Sequence, residues 1–212
     1  MSNLKLYGFP QSTYVRTARM ACEEKGVAYE IVPTQIGTPE NLAVHPFGKI
    51  PAMSHGDFQC FETAAICRYV DEAFEGPALQ PADAKGRALM TQWISAGNRY
   101  YDADIVRQVV LERFSPRLFE RETDEARIKD AMPRIEREME VLNAWLGDHK
   151  FLAGDGVSIA DFFMLPILFY FYMTPEGKPL CDGAPGVMQW WGEMSSRPSF
   201  EATNPPMPAA AE

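Results

Sequence analysis

Apolar and polar positions alternate at the start of the chain, with Leu4 and Leu6 on either side of Lys5, so Leu4–Gly8 reads as a short strand. A Phe-Pro-Gln loop follows. From Ser12 to Lys25 the spacing becomes helical through Val15, Ala18, Arg19 and Cys22, and Gly26 occupies the position of a helix C′ residue. Val27–Val32 reads as a second strand, and strand–helix–strand order favours a right-handed parallel unit. Thr38-Pro39-Glu40 starts a short helix that carries into Val44. Ala52–Ser54 and Phe58–Phe61 flank His55-Gly56-Asp57 as a hairpin, and Thr63–Phe74 is the next helix. Residues 1–75 therefore spell βαβ followed by ββα, a compact α/β arrangement.

Past Gly76-Pro77 and Pro81 the strand signals vanish. Lys85–Phe114 repeats at helical spacing through Leu89, Trp93, Ala96, Tyr100 and Ala103. Asp124–Leu146 does the same through Ile128, Met132, Ile135, Met139, Leu142 and Trp145, with Pro133 predicting a kink or an early break. Ser158–Tyr172 and Val187–Ser195 are two further helices. Ser158 with Asp161 three residues on is a capping box, which makes Asp161 a structural residue and not a catalytic acid. The Ala/Pro-rich tail from Ala202 has no periodicity and reads as loosely held. The pattern gives an α/β domain at 1–78 and an all-α domain at 84–212.

A length of 212 residues suits two small domains, and the net charge of −9 argues against nucleic acid or an anionic membrane as partner. The longest apolar run, Phe162 to Tyr172, contains Pro166 and falls well short of the roughly 20 residues of a membrane span. The opening MSNLKLYGF has neither the basic start nor the apolar stretch of a signal peptide, so a cytoplasmic location is expected. Cys22, Cys60, Cys67 and Cys181 lack CxxC spacing and read as small core residues in a reducing compartment. No His/Cys/carboxylate set has metal-ligand spacing, so no metal is expected.

The segment His45–Ile66, HPFGKIPAMSHGDFQCFETAAI, carries the chemistry. An X–Pro bond can be cis at modest cost, and a cis Ile50–Pro51 bond would turn the Ile50 N–H and C=O toward an added peptide strand. Glu62 and Thr63 open a helix, where free N–H groups and the positive dipole end favour a carboxylate. The segment thus offers a main-chain ladder, an acceptor for an ammonium and a nest for a carboxylate. It suits a small, extended, charged peptide.

LYG…S near the start, PFGKIPA, GDF…FET-AI-RY and FLAGD-VSIADF together resemble the cytosolic glutathione transferases, nearest the phi-type group and its bacterial relatives. The resemblance covers nearly the whole chain. It implies a thioredoxin-like N-terminal domain, an all-helical C-terminal domain, a homodimer, and activation of glutathione for attack on a small hydrophobic electrophile. Ser12 matches the family's catalytic serine, a hydrogen-bond donor to the glutathione thiolate; Thr13 is the rival hydroxyl, and Tyr7 lies within the strand. Ile50, before Pro51, matches the backbone partner of the cysteinyl moiety. Glu62 matches the acceptor of the γ-glutamyl ammonium, and Thr63 the donor to its carboxylate. Lys49 stands where the glycyl end is reached.

One departure matters. The family's His-Lys pair that holds the glycyl carboxylate is replaced by Ile36 and Gly37. Losing a charge-assisted contact of about 1.5–3 kcal/mol weakens binding roughly ten- to a hundredfold unless Lys49, Gln35 or His45 compensates. His45 stands where the family commonly has Asn and reads as a turn residue or a ligand contact; His55 and His149 read as solvent-facing turn residues. Arg16, one turn after Ser12, reads either as a source of positive field or as an exposed helix residue.

The electrophile site is expected between the domains, with Phe9, Tyr14, Tyr100, Tyr101 and Phe114 as its candidates, joined by Phe169 and Tyr172. Two other functions compete. A thiol–disulfide reductase would need a cysteine at the start of the first helix, and Ser12-Thr13-Tyr14-Val15 supplies none. A glutathione-binding or assembly module without transferase activity would be marked by loss of Ser12, Glu62 or Thr63, and all three are present.

Overall fold

The structure, a computed structural model, describes residues 3–118 and 121–205. In chain order its elements are β1 (Leu4–Tyr7), α1 (Thr13–Lys25), β2 (Tyr29–Val32), α2 (Pro39–Val44), β3 (Ala52–His55), β4 (Phe58–Phe61) and α3 (Thr63–Ala73). Then come α4 (Ala84–Ala96), a π-helical segment (Gly97–Val110), α5 (Leu111–Leu118), α6 (Glu125–Asp148), α7 (Ile159–Tyr172), α8 (Gly177–Asp182), α9 (Pro185–Ser195) and α10 (Pro198–Ala202). The chain divides into two compact units, Met1–Leu79 with Ser195–Glu212, and Gln80–Met194.

The first unit is built on a four-stranded sheet of order β2-β1-β3-β4, with β1 parallel to β2 and antiparallel to β3. Leu4 and Leu6 are buried and Lys5 is exposed, as the alternation requires. α1 packs on α3 and closes at Gly26, whose φ of 65° permits the left-handed turn. The Gly26 N–H reaches the Glu23 carbonyl at 3.1 Å and the Val27 N–H reaches back to Cys22 at 2.9 Å, the paired closure of a Schellman turn.

The far end of the chain returns to this unit. Arg16 is fully buried. Its Nε donates to Thr203 Oγ1 at 3.5 Å, its Nη2 to the Phe200 carbonyl at 3.3 Å, and its guanidinium lies 4.6 Å from the centre of the Phe200 ring. Arg19 donates to the carbonyls of Ala202 and Thr203, both at 3.0 Å. At the other end of α10, Glu24 accepts from Arg197 Nε at 2.7 Å and from Ser199 Oγ at 2.5 Å. Cations on α1 thus meet the carbonyl end of α10 and a carboxylate meets its amino end, the favourable arrangement for both. This corrects the exposed reading of Arg16. It also differs from the expected 84–212 boundary, because residues 195–205 pack in the first unit. Thr203 is buried, so the tail is held at least that far; the rest of it, from residue 206, lies outside the described residues.

In the second unit the single helix expected over Lys85–Phe114 widens in its middle. The Leu111 N–H donates to the Val106 carbonyl, five residues back. Arg107 Nε meets Asp102 Oδ2 at 2.9 Å and Gln108 Nε2 meets the Ala103 carbonyl at 3.0 Å, both also five apart, the spacing a π turn stacks. α6 continues through Pro133 to Asp148 with no early break. α7 is almost wholly buried. The fully buried carboxylate of Asp161 anchors its start, accepting from Leu152 N–H, Ser158 N–H, Ser158 Oγ and Trp190 Nε1 at 2.8–3.0 Å. Burial pushes the Asp161 pKa upward despite these four bonds. Neither remaining histidine is a free turn residue: His55 Nδ1 lies 2.8 Å from Tyr69 Oη, and His149 stacks on Trp145 with ring centres 3.9 Å apart.

Arg16→Ala removes the donors to the Phe200 carbonyl and to Thr203 Oγ1 and opens a cavity beside Phe200. It should cost about 2–4 kcal/mol of unfolding free energy in urea titrations. Arg68→Ala removes a guanidinium that is 67% exposed and, among the described residues, pairs only with Glu72 one turn on, and should cost no more than about 0.5 kcal/mol.

Candidate functional site

Strand register gathers the candidates. Tyr7 pairs with Val32 on one side and Ala52 on the other, and Ala52 pairs with Phe61, so four strand ends form one row across the sheet. Three of the four strands meet a candidate at that row. β1 leads through Gly8 to Ser12, Lys49-Ile50-Pro51 leads into β3, and β4 leads to Glu62 and Thr63. The Ile50–Pro51 peptide is cis.

Gly8 lets these parts close up. Its φ is +154°, and a Cβ there would come within 2.5 Å of Val15 Cγ2 and 3.4 Å of Ile50 Cβ. The first turn of α1 therefore presses on the end of β1 at a distance that only glycine allows, with Ile50 at van der Waals distance beside it. Sequence reasoning used this glycine as a strand end and missed its role in close approach.

Ser12 is the N-cap of α1, with φ −65° and ψ 130°. Its Oγ accepts from the Val15 N–H at 3.4 Å and its carbonyl accepts from the Arg16 N–H at 2.9 Å. The hydroxyl proton has no acceptor among the described residues, so Oγ–H is available to an anion held at the positive end of the helix. Thr13 is buried at the first position of α1. The Tyr7 hydroxyl is 3.1 Å from Ser54 Oγ, which engages it within the sheet.

Glu62 is the one non-glycine residue with positive φ among those described, at 71°. It precedes α3, its carbonyl accepts the Ile66 N–H at 3.0 Å, and its exposed carboxylate makes no hydrogen bond or ion pair among the described residues. A left-handed glutamate costs on the order of 1–3 kcal/mol, and such strain gathers at ligand clamps. Thr63 is buried as the first residue of α3. The Lys49 ammonium is exposed and also has no partner among the described residues. His45 is buried, with its ring centre 4.8 Å from that of Phe61, a packing position in which desolvation pushes the imidazole pKa down while the nearby Glu62 charge opposes it.

The aromatic candidates separate. Phe9 is exposed in the loop before Ser12, and Tyr14 is half-buried in the first turn of α1. Tyr100 and Tyr101 border a groove of about 790 Å³ that lies wholly within the second unit, with Trp93, Val141, Ala144 and Trp145 on its other walls. Tyr101 is only 2% exposed and its hydroxyl donates to the Glu138 carbonyl at 2.8 Å, the contacts of a packing residue. Phe114 is half-buried, edge-on to Tyr170. Among the described residues no group of three or more His, Cys, Asp or Glu is placed to hold a metal ion, and no helix is long and apolar enough to cross a membrane.

Known proteins match this chain in sequence and fold. A family model described as the glutathione S-transferase N-terminal domain matches residues 6–78, and one described as the C-terminal domain matches residues 103–198. This chain belongs to the glutathione S-transferase family. It is 32% identical to glutathione S-transferase 1 of Zea mays, with 95% of each chain aligned, and 33% identical to glutathione S-transferase 3 of the same plant, over 96% of this chain and 94% of the relative. Its fold matches that of glutathione S-transferase I from maize in complex with an atrazine–glutathione conjugate. There the TM-score is 0.85 at 29% identity, over 95% of this chain and 96% of that one. The thioredoxin-like and all-helical halves of the transferase fold are thus both present.

The transferase's cysteines are placed against thiol chemistry. Cys22, Cys67 and Cys181 are buried, and Cys60 is half-buried. Desolvation raises all four thiol pKa values, to about 12 for Cys22 and Cys181 and about 11 for Cys60. At pH 7.5 the native protein should therefore react with less than one equivalent of an aromatic disulfide reagent within minutes, and with four equivalents once denatured. Rapid reaction of a native thiol would reopen the reductase reading.

Proposed function

We propose that this transferase binds glutathione along the row of strand ends and that Ser12 Oγ–H stabilises its thiolate for attack on a small hydrophobic electrophile. The observation that carries this reading is the convergence at one edge of the sheet of a helix-capping hydroxyl with a free proton, the backbone of Ile50, and an unpaired carboxylate at Glu62. The free thiol has a pKa near 8.5, so only a few per cent is thiolate at neutral pH. A hydroxyl donor and the α1 dipole both favour the anion, and each unit of depression is worth about 1.4 kcal/mol. Glu62 accepts from the γ-glutamyl ammonium, and Thr63 donates to the adjoining carboxylate from N–H and hydroxyl. Ile50 pairs through its backbone beside Pro51 with the cysteinyl residue, and the Lys49 ammonium faces the glycyl carboxylate. Phe9 and Tyr14, flanking Ser12 in sequence, are the side chains we assign to the electrophile. A cytoplasmic location belongs to the same reading and suits four unpaired thiols.

The protein also acts, in this reading, as a homodimer. Phe47, beside Gly48 and Lys49, is 71% exposed, a large apolar ring left in water. The groove lined by Trp93, Tyr100, Val141 and Trp145 is of a size and character to take such a ring from a second copy. An isologous pair would use both features twice.

Ser12→Ala should lower kcat/KM toward a chlorodinitrobenzene electrophile about a hundredfold or more, in the range seen on removing a preorganised donor. Glu62→Gln should act mainly on binding, raising the KM for glutathione about tenfold. Full activity in Ser12→Ala would refute the assignment of that residue. For the dimer, Phe47→Ser should shift the sedimenting species from dimer to monomer at micromolar concentration, and an unchanged dimer would exclude this contact.

A further inference from the structure

α2 is an unusual helix, and the reason lies in one residue. Its six residues, Pro39-Glu40-Asn41-Leu42-Ala43-Val44, include only one that is buried, and that one is polar. Leu42, the largest apolar side chain of the helix, is 48% exposed and Val44 is only half-buried, so apolar burial alone holds α2 weakly. Asn41 supplies a polar anchor. It is fully buried and both ends of its amide are used: Oδ1 accepts from the Gly37 N–H at 2.9 Å, and Nδ2 donates to the Lys49 carbonyl at 2.9 Å. The Asn41 N–H in turn donates to the N-cap hydroxyl oxygen of Thr38 at 3.3 Å.

The two loops tied by this amide are built around left-handed glycines, Gly37 with φ 81° and Gly48 with φ 61°. They lie against each other: a Cβ on Gly48 would sit 3.5 Å from Gly37 Cα and 3.7 Å from Asn41 Oδ1. Beyond Gly48 comes Lys49, the exposed ammonium without a partner among the described residues, and then Ile50 and the cis bond. A ligand strand paired with Ile50 and anchored at Glu62 and Thr63 by one end carries its other end toward Lys49 and the Gly37 loop. Where the family resemblance implies a His-Lys pair, this chain has Ile36 and Gly37, so Lys49 faces that end of the ligand with no cationic help from those two positions.

We infer that Asn41 is a positioning residue for the co-substrate's C-terminal carboxylate, acting by clamping the Gly37 loop to the Lys49 carbonyl so that the Lys49 ammonium is fixed over that end of the ligand. This inference rests on the proposed glutathione site and adds to it the residue that sets discrimination at the glycyl end. Loss of the amide frees the Lys49 carbonyl and lets the loop before Pro51 rotate, so the ammonium no longer holds one direction. The γ-glutamyl contacts at Glu62 and Thr63, at the start of α3, are untouched.

The test compares glutathione with its glycyl ethyl ester, which differs only in lacking the C-terminal charge. Wild type should show a KM at least about tenfold lower for glutathione than for the ester, the worth of one charge-assisted contact. Lys49→Gln should bring the two KM values within about twofold. Asn41→Ala, and the milder Asn41→Ser if alanine destabilises the fold, should cut the preference to about threefold or less, by raising the KM for glutathione more than that for the ester. A general loss of structure would raise both together and leave the ratio unchanged, and that result overturns the inference, as does a wild-type enzyme indifferent to the ester. Failure of the wild type to turn over glutathione at all would instead strike the proposed function.

Discussion

The hydrogen-bond register of one row, Val32–Tyr7–Ala52–Phe61, is the constraint on which the candidate site depends. None of Ser12, Ile50, Glu62 and Lys49 is close to all the others in sequence, and none has a side-chain bond that fixes it to the rest. They converge because three strands end in the same row and each hands its next residues to the same edge of the sheet. A one-residue slip in any pairing would turn a whole strand face and move its candidate to the other side. Gly8 completes the arrangement by letting α1 and Ile50 approach the strand end to van der Waals distance. Local chemistry then builds on that geometry, with a helix start at Ser12, another at Thr63, and a strained glutamate between β4 and α3.

α1 is held on more than one face. One side packs on α3, and Arg16, Arg19 and Glu24 grip both ends of α10. The helix that carries the catalytic candidate at its first turn is thereby fixed by residues from the far end of the chain. Rigid support of this kind is what a single hydrogen-bond donor needs if it is to favour one protonation state of a bound thiol, because a mobile donor is replaced by water at little cost.

Much of this was legible in the sequence, for stated physical reasons. Period-two runs found the strands, Gly26 and the Ser158–Asp161 box marked helix ends, and the HPFGKIP and FET motifs singled out the residues that the sheet register brings together. Other features have no local signature. Arg16 sits in a helical pattern like any solvent-facing arginine, and its partners are 184 and 187 positions away. The five-residue spacing of the π segment is not written in its composition, since Asp102 with Arg107 reads equally as two exposed charges. Asn41 lies in a short helix with an apolar neighbour at Leu42, and nothing in that pattern says that the amide is buried and the leucine exposed.

The proposed role of Ser12 is to lower the pKa of bound glutathione. The most direct measurement follows the ultraviolet absorbance of the thiolate against pH in the binary complex, for wild type and Ser12→Ala, with glutathione saturating in both. A hydroxyl that stabilises the thiolate gives a wild-type midpoint at least about one unit below the free thiol value near 8.5, and a return to that value in the variant. A wild-type midpoint at the free value, or an equally depressed midpoint without the Ser12 hydroxyl, would contradict it.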